Sequence, residues 1–161
     1  MARQQPIELF MPPNMIKAKV GGGGFSGMDM AAIKRAEAAM EDIKGEFTAW
    51  AASDVEKLVA ARKQYTNTPD KASLDALLRA AHDMKGQAAT FNYPLMARVA
   101  GSLARLLGEM PAAKQLPLAL VDAHVSAVQV IYRDKVMDQT NKMALALSSA
   151  LEARVTEALK A

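Results

Sequence analysis

His82 is one of only two histidines in the chain, and its neighbours suit it to phosphoryl chemistry. Arg79 lies three residues before it and Lys85 three residues after it, so the three side chains share one face if the segment is helical. A neutral imidazole nitrogen can attack an electrophile, and cations at its side favour an electrophile whose oxygens carry negative charge. The spacing therefore points to a phosphoryl group as the species that His82 would accept.

Small residues lie on the same predicted face. Gly86 and Ala89 follow His82 by four and seven residues, and Asp75 precedes it by seven. A glycine inside a helix costs about 1 kcal/mol relative to alanine, and its bare backbone would let another macromolecule approach His82 closely. We therefore predict a partner-binding face that includes Asp75, Arg79, Gly86 and Ala89.

The segment that carries His82 is predicted to be an amphipathic helix over about residues 69–91, with Thr68 as its cap and Pro69 at its first position. Its apolar side chains repeat at steps of three and four: Leu74, Leu77, Leu78, Ala81, Met84, Ala88 and Phe91. His82 lies about 130° from the middle of this stripe, which predicts exposure to solvent. His124 falls at the edge of the stripe of a later helix, which predicts a half-buried structural histidine.

The remaining sequence predicts an all-α protein. Hydrophobic residues make up 51% of the chain and aromatic residues only 5%, and alanine, leucine and methionine are strong helix formers. Four further helices are predicted, over about residues 29–64, 94–109, 117–133 and 136–160. Gly45 and the pair Ser53–Asp54 could kink or divide the first of them. The predicted architecture is an antiparallel four-helix bundle with an additional N-terminal helix or arm.

Residues 1–27 have a different composition. Pro12 and Pro13 are adjacent, and the run "GGGGFSG" follows from Gly21. Consecutive glycines lose much backbone entropy when they are ordered. We predict a flexible or extended arm with a glycine-rich hinge over residues 1–27 and the helical bundle over residues 28–161. Docking of the arm's apolar residues stays open as an alternative to a mobile tail.

Composition argues against several classes of function. The chain has no cysteine, which removes thiolate nucleophiles, disulfides and cysteine-bound zinc. The net charge of +3 comes from interleaved charges rather than a basic cluster, so nucleic acid is not an expected partner. No apolar run is long enough to span a membrane, and residues 1–10 lack a signal-peptide region. We expect a cytoplasmic protein. Because no G-x-x-x-x-G-K-[ST] loop is present, the phosphoryl donor would be another protein with its own active site.

The stretch "AHDMKG" in an amphipathic helix, followed by a turn and a second helix, resembles the histidine phosphotransfer (HPt) domain family. The family motif H-x-[apolar]-K-G is matched by His82, Met84, Lys85 and Gly86. Small residues follow the motif, as they do in the family, at Ala88 and Ala89. The resemblance in helix order extends over roughly residues 29–160.

This resemblance implies a stand-alone phosphorelay intermediate rather than an enzyme with its own turnover. His82 would accept a phosphoryl group from an aspartate of a response-regulator receiver domain and pass it to another such aspartate. Lys85 would stabilise the phosphoryl oxygens, and Gly86 would leave room for the receiver. The receiver would supply Mg²⁺, so the chain needs no metal or cofactor of its own. A hybrid histidine kinase is a further candidate partner, and we expect a monomer.

The sequence departs from the family pattern at three positions. Asn92 stands where many members have a turn glycine, Gln87 where serine or alanine is common, and Ala104 at about the place of a glutamine near the phosphohistidine. Arg98 and Arg105 lie seven residues apart on the following helix. They are candidate substitutes and partner-binding residues, with solvated surface arginines as the alternative.

Other functions stay open beside the relay. The pair His82–Asp83 occurs in metal-dependent phosphohydrolases, but such sites need several more histidines and only His124 is available. General acid–base catalysis has Asp75 as a single carboxylate candidate without a partner. A chemotaxis-type kinase would need an ATP-binding region. The main alternative is a non-catalytic helical adaptor that docks a receiver or another signalling partner, with His82 incidental.

Overall fold

The computed structural model describes residues 30–111 and 114–160. It contains five α-helices: α1 (Met30–Asn67), α2 (Lys71–Thr90), α3 (Pro94–Glu109), α4 (Leu118–Arg133) and α5 (Lys142–Lys160). The described residues contain no strand, and the predicted all-α fold is confirmed. The predicted arm over residues 1–27 lies outside the described residues.

The chain divides into two units, with the boundary between Glu41 and Asp42. In the first unit, the described residues 30–41 are helical and exposed, apart from the half-buried Ile33. The second unit, Asp42–Ala161, is the helical bundle. The predicted boundary between residues 27 and 28 lies outside the described part of the chain and stays a prediction.

Helix α1 continues through Gly45 and through Ser53–Asp54, so neither point divides it. The helix is continuous because its buried side is continuous: Ala51, Val55 and Leu58 all lie in the core, on both sides of Ser53–Asp54. The helix also extends to Asn67, beyond the predicted end near residue 64.

Helix α2 begins two residues later than predicted, because Asp70 and not Thr68 is its cap. Ser73 N–H donates to Asp70 Oδ1 at 2.7 Å, and Asp70 N–H donates to Ser73 Oγ at 3.2 Å. This reciprocal pair forms a capping box, with serine in the position where glutamate is common. The backbone N–H of Ser73 lowers the pKa of the Asp70 carboxyl. The strong cap fixes the first turn of the helix that carries His82.

In the turn after α2, Asn92 adopts the backbone conformation that a turn glycine would adopt. Its φ is 63°, the left-handed conformation that asparagine tolerates better than most residues. Tyr93 N–H donates to the Ala88 carbonyl at 2.8 Å, and Asn92 N–H donates to the Ala89 carbonyl at 3.3 Å. This Schellman arrangement satisfies the last carbonyls of α2, and α3 starts immediately afterwards at Pro94.

The predicted start of the last helix at Val136 is wrong. Lys135 adopts a φ of 49°, and Val136 N–H donates back to the Ile131 carbonyl at 3.0 Å. Val136 therefore closes a second Schellman motif at the end of α4. Helix α5 begins at Lys142, where the side chain of Asn141 accepts a hydrogen bond from Ala144 N–H at 3.0 Å.

Helix α3 lies at the centre of the bundle, because it contacts α2, α4 and α5. Nine of its residues are buried: Leu95, Met96, Val99, Ala100, Ser102, Leu103, Ala104, Leu106 and Leu107. The guanidinium of Arg62 on α1 donates to Asp122 on α4 at 2.7 and 3.1 Å, which links the C-terminal part of α1 to α4 within the second unit. In the described part of the chain, no helix combines the length and apolarity that crossing a membrane requires.

Candidate functional site

His82 lies on the exposed side of α2, as the helical periodicity predicts. The buried residues of this helix are Ser73, Leu77, Ala81, Met84 and Ala88. His82 is exposed, whereas His124 is completely buried. The predicted order of exposure of the two histidines is therefore confirmed, although His124 is more deeply buried than predicted.

A shallow groove of about 420 Å³ runs between α2 and α3 beside His82. We call it the His82 groove, and its lining residues are His82, Lys85, Gly101, Ala104, Arg105, Gly108 and Glu109. Three of these residues have little or no side chain, so the groove is open beside the imidazole. Its two cationic side chains, Lys85 and Arg105, come from different helices. An anionic group bound to His82 would lie in a groove that contains both cations.

Lys85 is positioned by a glycine of the neighbouring helix. A Cβ placed on Gly101 would lie 3.4 Å from Lys85 Cδ and 3.6 Å from its Cε. The aliphatic stem of Lys85 therefore lies across the backbone of α3, while the residue itself stays exposed. Long cationic side chains commonly pack their stems in this way and keep the ammonium in water. A large side chain at Gly101 would displace the lysine.

Arg105 lines the same groove as His82 and is held loosely by two neighbours. Its Nε donates to Glu109 Oε2 at 3.1 Å, and its Nη1 lies 3.5 Å from the hydroxyl of Thr156 on α5. The Arg105 and Glu109 side chains are 49% and 58% exposed, and an exposed pair of this kind contributes little stability. The guanidinium can therefore exchange Glu109 for another anion at little cost.

A second groove of about 670 Å³ adjoins the first and extends to α5. It shares Lys85, Gly101 and Arg105 with the His82 groove, and Ala89 and Arg98 also line it. Arg98 donates to both carboxylate oxygens of Glu152, at 3.0 and 2.6 Å, and this hydrogen bonding raises the pKa of Arg98. The Arg98 side chain is therefore held against α5 by Glu152. In contrast to Arg105, it does not line the His82 groove.

The other predicted partner-binding residues lie elsewhere on α2. Gly86 is exposed, and a Cβ placed on it would meet no atom within 4 Å. Asp75 is also exposed. Arg79 points away from the His82 groove and lines an opening between α1 and α2 together with Asp54. Asp75, Arg79, Gly86 and Ala89 are all exposed, and Arg79 and Ala89 border different grooves. That this face binds a partner stays a prediction.

His124 has a structural environment in which both ring nitrogens are satisfied. Nδ1 donates to the Leu120 carbonyl at 2.7 Å, because a carbonyl can only accept. Nε2 then accepts a hydrogen bond from Ser102 Oγ at 3.0 Å. Burial lowers the pKa of His124, so the ring is held neutral. The prediction that His124 is half-buried was wrong, because the periodicity of α4 alone does not show that Ser102 on α3 packs against the ring.

Three residues that line one or both of the two grooves were not singled out from the sequence: Gly101, Glu109 and Glu152. Gly101 could have been recognised, since a glycine inside an amphipathic helix destabilises it and usually has a packing or functional reason. Glu109 had a weaker sequence signal, because it lies four residues after Arg105 and this spacing allows an ion pair on a helix. Glu152 had none, because its pairing with Arg98 depends on the packing of α5 against α3. Among the described residues, no group of three or more histidine, aspartate or glutamate side chains could hold a metal ion.

A family model, the Hpt domain, matches residues 42–130. The matched region covers more than half of the chain and contains His82, Lys85 and the whole of α2 and α3. The chain belongs to the Hpt domain family. Hpt domains are helical bundles that act in histidine phosphotransfer and interact with receiver domains. Comparisons with curated proteins and with solved structures found no match to the chain.

Proposed function

We propose that this Hpt domain is a phosphorelay intermediate of a two-component system, in which His82 carries the phosphoryl group between receiver aspartates. The observation that carries the proposal is the position of His82. It is exposed on a groove whose two cationic side chains, Lys85 and Arg105, come from separate helices. His124, the other histidine, is buried with both nitrogens engaged.

The transfer step is an exchange of one phosphorus bond for another. A ring nitrogen of His82 attacks the phosphorus of an aspartyl phosphate on the receiver, and a nitrogen–phosphorus bond forms as the phosphorus–oxygen bond breaks. The electron pair of the broken bond leaves with the aspartate carboxylate, and the surplus imidazole proton passes to water. The reverse exchange delivers the phosphoryl group to the next receiver.

Lys85 and Arg105 are proposed to stabilise the phosphoryl oxygens of phosphorylated His82. Lys85 supplies a flexible ammonium from the turn after His82, and Arg105 supplies planar N–H donors from α3. Ala104 cannot donate a hydrogen bond from its side chain, so Arg105 takes the role that an amide has in some family members. Each cation neutralises charge that develops during transfer.

The partner surface is proposed to be the exposed side of α2 around Gly86, with Asp75, Arg79, Ala89 and Arg98 at its borders. The open space above Gly86 supports close approach of a receiver. The receiver would supply Mg²⁺, and a hybrid histidine kinase would act upstream. We propose that the protein acts as a monomer in the cytoplasm.

The test is phosphotransfer from a panel of phosphorylated receiver domains of the source organism to the wild-type protein, His82→Gln and His124→Gln. We expect acid-labile, base-stable phosphate on the wild-type chain and on folded His124→Gln, and none on His82→Gln. Transfer that survives His82→Gln would overturn the proposed acceptor. If no receiver transfers to the wild-type protein, the adaptor function is favoured instead.

A further inference from the structure

Glu109 places a carboxylate in the groove that is proposed to receive a phosphoryl group. It lines the His82 groove together with His82, Lys85 and Arg105, and its side chain is exposed. A negative charge in such a groove opposes a bound anion, because like charges repel. Glu109 is therefore expected to influence the phosphorylated form of His82 more than the unphosphorylated form.

The position of Glu109 in α3 does not explain it as a residue that stabilises the helix. Glu109 is the last residue of α3, and the C-terminal end of a helix carries a partial negative charge that favours basic side chains. Its ion pair with Arg105 is exposed, with side chains that are 58% and 49% accessible. Such a pair contributes little stability, which leaves the effect of Glu109 on the His82 groove.

The Arg105 guanidinium has Glu109 as its charged partner in the unphosphorylated protein. Arg105 Nε donates to Glu109 Oε2 at 3.1 Å, and its Nη1 lies 3.5 Å from the Thr156 hydroxyl. The fork of N–H groups in a guanidinium fits a carboxylate and a phosphoryl group equally well. A phosphoryl group on His82 would share the groove with Glu109 and carry more negative charge. The two anions would compete for one guanidinium.

We propose that Glu109 is a positioning residue that competes with phosphorylated His82 for Arg105 and shifts the transfer equilibrium toward the receiver. This inference rests on the proposed function. In the exchange, the phosphorus–oxygen bond of the receiver aspartate breaks as the nitrogen–phosphorus bond at His82 forms, and Glu109 takes no part in either bond. Its ion pair stabilises only the unphosphorylated protein, because Arg105 leaves Glu109 when it turns to the phosphoryl group. Glu109 thus favours release of the phosphoryl group to the next receiver.

The experiment compares Glu109→Gln with the matched control Glu157→Gln, using a receiver that phosphorylates the wild-type protein. Both variants remove one carboxylate from an exposed ion pair, but Glu157 lies 3.6 Å from Arg154 on α5 and lines neither groove. Glu109→Asp keeps the charge and tests rescue. The equilibrium constant is obtained from the distribution of radiolabelled phosphate between the two proteins, approached from both directions. Thermal unfolding establishes that each variant is folded.

We expect Glu109→Gln to raise the equilibrium constant for phosphorylation of His82 by about two- to fivefold, the factor that corresponds to the strength of an exposed ion pair. Glu109→Asp should lie closer to the wild type, because it keeps the carboxylate. Glu157→Gln should leave the constant unchanged. The effect of Glu109→Gln should decrease at high salt, since exposed charges are screened.

A second background tests whether Glu109 acts through Arg105. In Arg105→Gln the competition is absent, so adding Glu109→Gln should change the equilibrium constant by less than about 1.5-fold. An equal increase in both backgrounds would overturn the inference, because Glu109 would then act without Arg105. A wild-type constant for folded Glu109→Gln, with His82 still phosphorylated, would also overturn it and leave the proposed function intact. If no receiver phosphorylates His82, the proposed function fails and the inference falls with it.

Discussion

The two histidines lie on different helices and in opposite environments, His82 exposed on α2 and His124 buried on α4. His82 projects from α2 into an open groove beside Lys85 and Arg105. His124 projects from α4 into the core, where Ser102 Oγ and the Leu120 carbonyl occupy its two ring nitrogens. One imidazole has space and cations around it, and the other has neither solvent nor an unengaged nitrogen.

This difference shows that the chemistry of a histidine in this fold depends on the helix face that carries it. A nucleophile needs an unengaged nitrogen and access for the electrophile. A core histidine needs a hydrogen-bond partner on each nitrogen and remains neutral. The same side chain therefore serves as the proposed phosphoryl acceptor in one position and as a polar link between α3 and α4 in the other.

The largest expected effect is the difference in unfolding free energy between substitutions of the two histidines. His124→Ala should lower the free energy of unfolding by about 2–4 kcal/mol, because it leaves a cavity and removes the partner of Ser102. His82→Ala should change it by less than about 0.5 kcal/mol, as is usual for exposed positions. Urea denaturation measures both changes in unfolding free energy, provided that the m-value stays the same as in the wild type. Equal destabilisation by the two substitutions would contradict the assigned environments.

The second effect concerns the cations of the His82 groove. Lys85→Met keeps the aliphatic stem over Gly101 but removes the charge, so transfer from a receiver to His82 should slow by about 10- to 100-fold. Arg105→Gln should slow it less, because the amide still donates a hydrogen bond. Rapid-quench phosphotransfer measures the rates. Arg154→Gln is the control, because Arg154 is exposed on α5 and lines neither the His82 groove nor the second groove. A larger loss of rate from the control than from Lys85→Met and Arg105→Gln would show that the cations of the His82 groove do not stabilise the phosphoryl group.

A third, smaller effect is the pH dependence of stability that His124 contributes. Burial lowers the pKa of His124 in the folded state from its ordinary value of 6.5. Below that value the unfolded chain binds a proton that the folded chain does not, so stability present above about pH 6.5 is lost as pH falls toward the folded pKa. The slope reaches at most about 1.4 kcal/mol per pH unit. Unfolding free energies from pH 8 to pH 5 should show a loss in the wild type that His124→Gln lacks. An identical pH profile for both proteins would refute the linkage.

A fourth effect, also small, comes from Gly86, where substitution should increase stability. Gly86→Ala should stabilise the protein by about 0.5–1 kcal/mol, because Gly86 lies inside α2 and its added Cβ meets no atom within 4 Å. The same methyl group should slow transfer from receivers if the partner packs on this backbone. Thermal unfolding and receiver phosphotransfer on one sample give both results. A stabilised variant with an unchanged transfer rate would show that the receiver does not dock on the backbone at Gly86.

The helices that have clear apolar periodicity could be predicted closely from the sequence. α3 begins and ends where predicted, at Pro94 and Glu109, because a proline after a left-handed turn fixes its start. The start of α5 could not be predicted in this way. It depends on Lys135 in the left-handed region, a conformation that is uncommon for lysine and is maintained by the backbone hydrogen bonds of the turn.

The exposure of His82 could also be predicted, since it follows from the periodicity of one helix. Its surroundings could not, because they depend on which residues of α3 face α2. The lysine stem over Gly101 and the presence of Arg105 in the groove are both products of packing between helices. Patterns within a single helix therefore identify the acceptor, whereas its supporting side chains require the fold.

The most direct test of the central claim uses the fact that the chain has two histidines. Protein labelled with ¹⁵N in its imidazoles is phosphorylated by a receiver, and nitrogen–phosphorus coupling is measured by NMR. If His82 is the phosphoryl acceptor, we expect coupling on the ring of His82 and an unchanged tautomer for His124, with Nδ1 still protonated. Coupling on His124, or phosphorylated protein without coupling on His82, would contradict it.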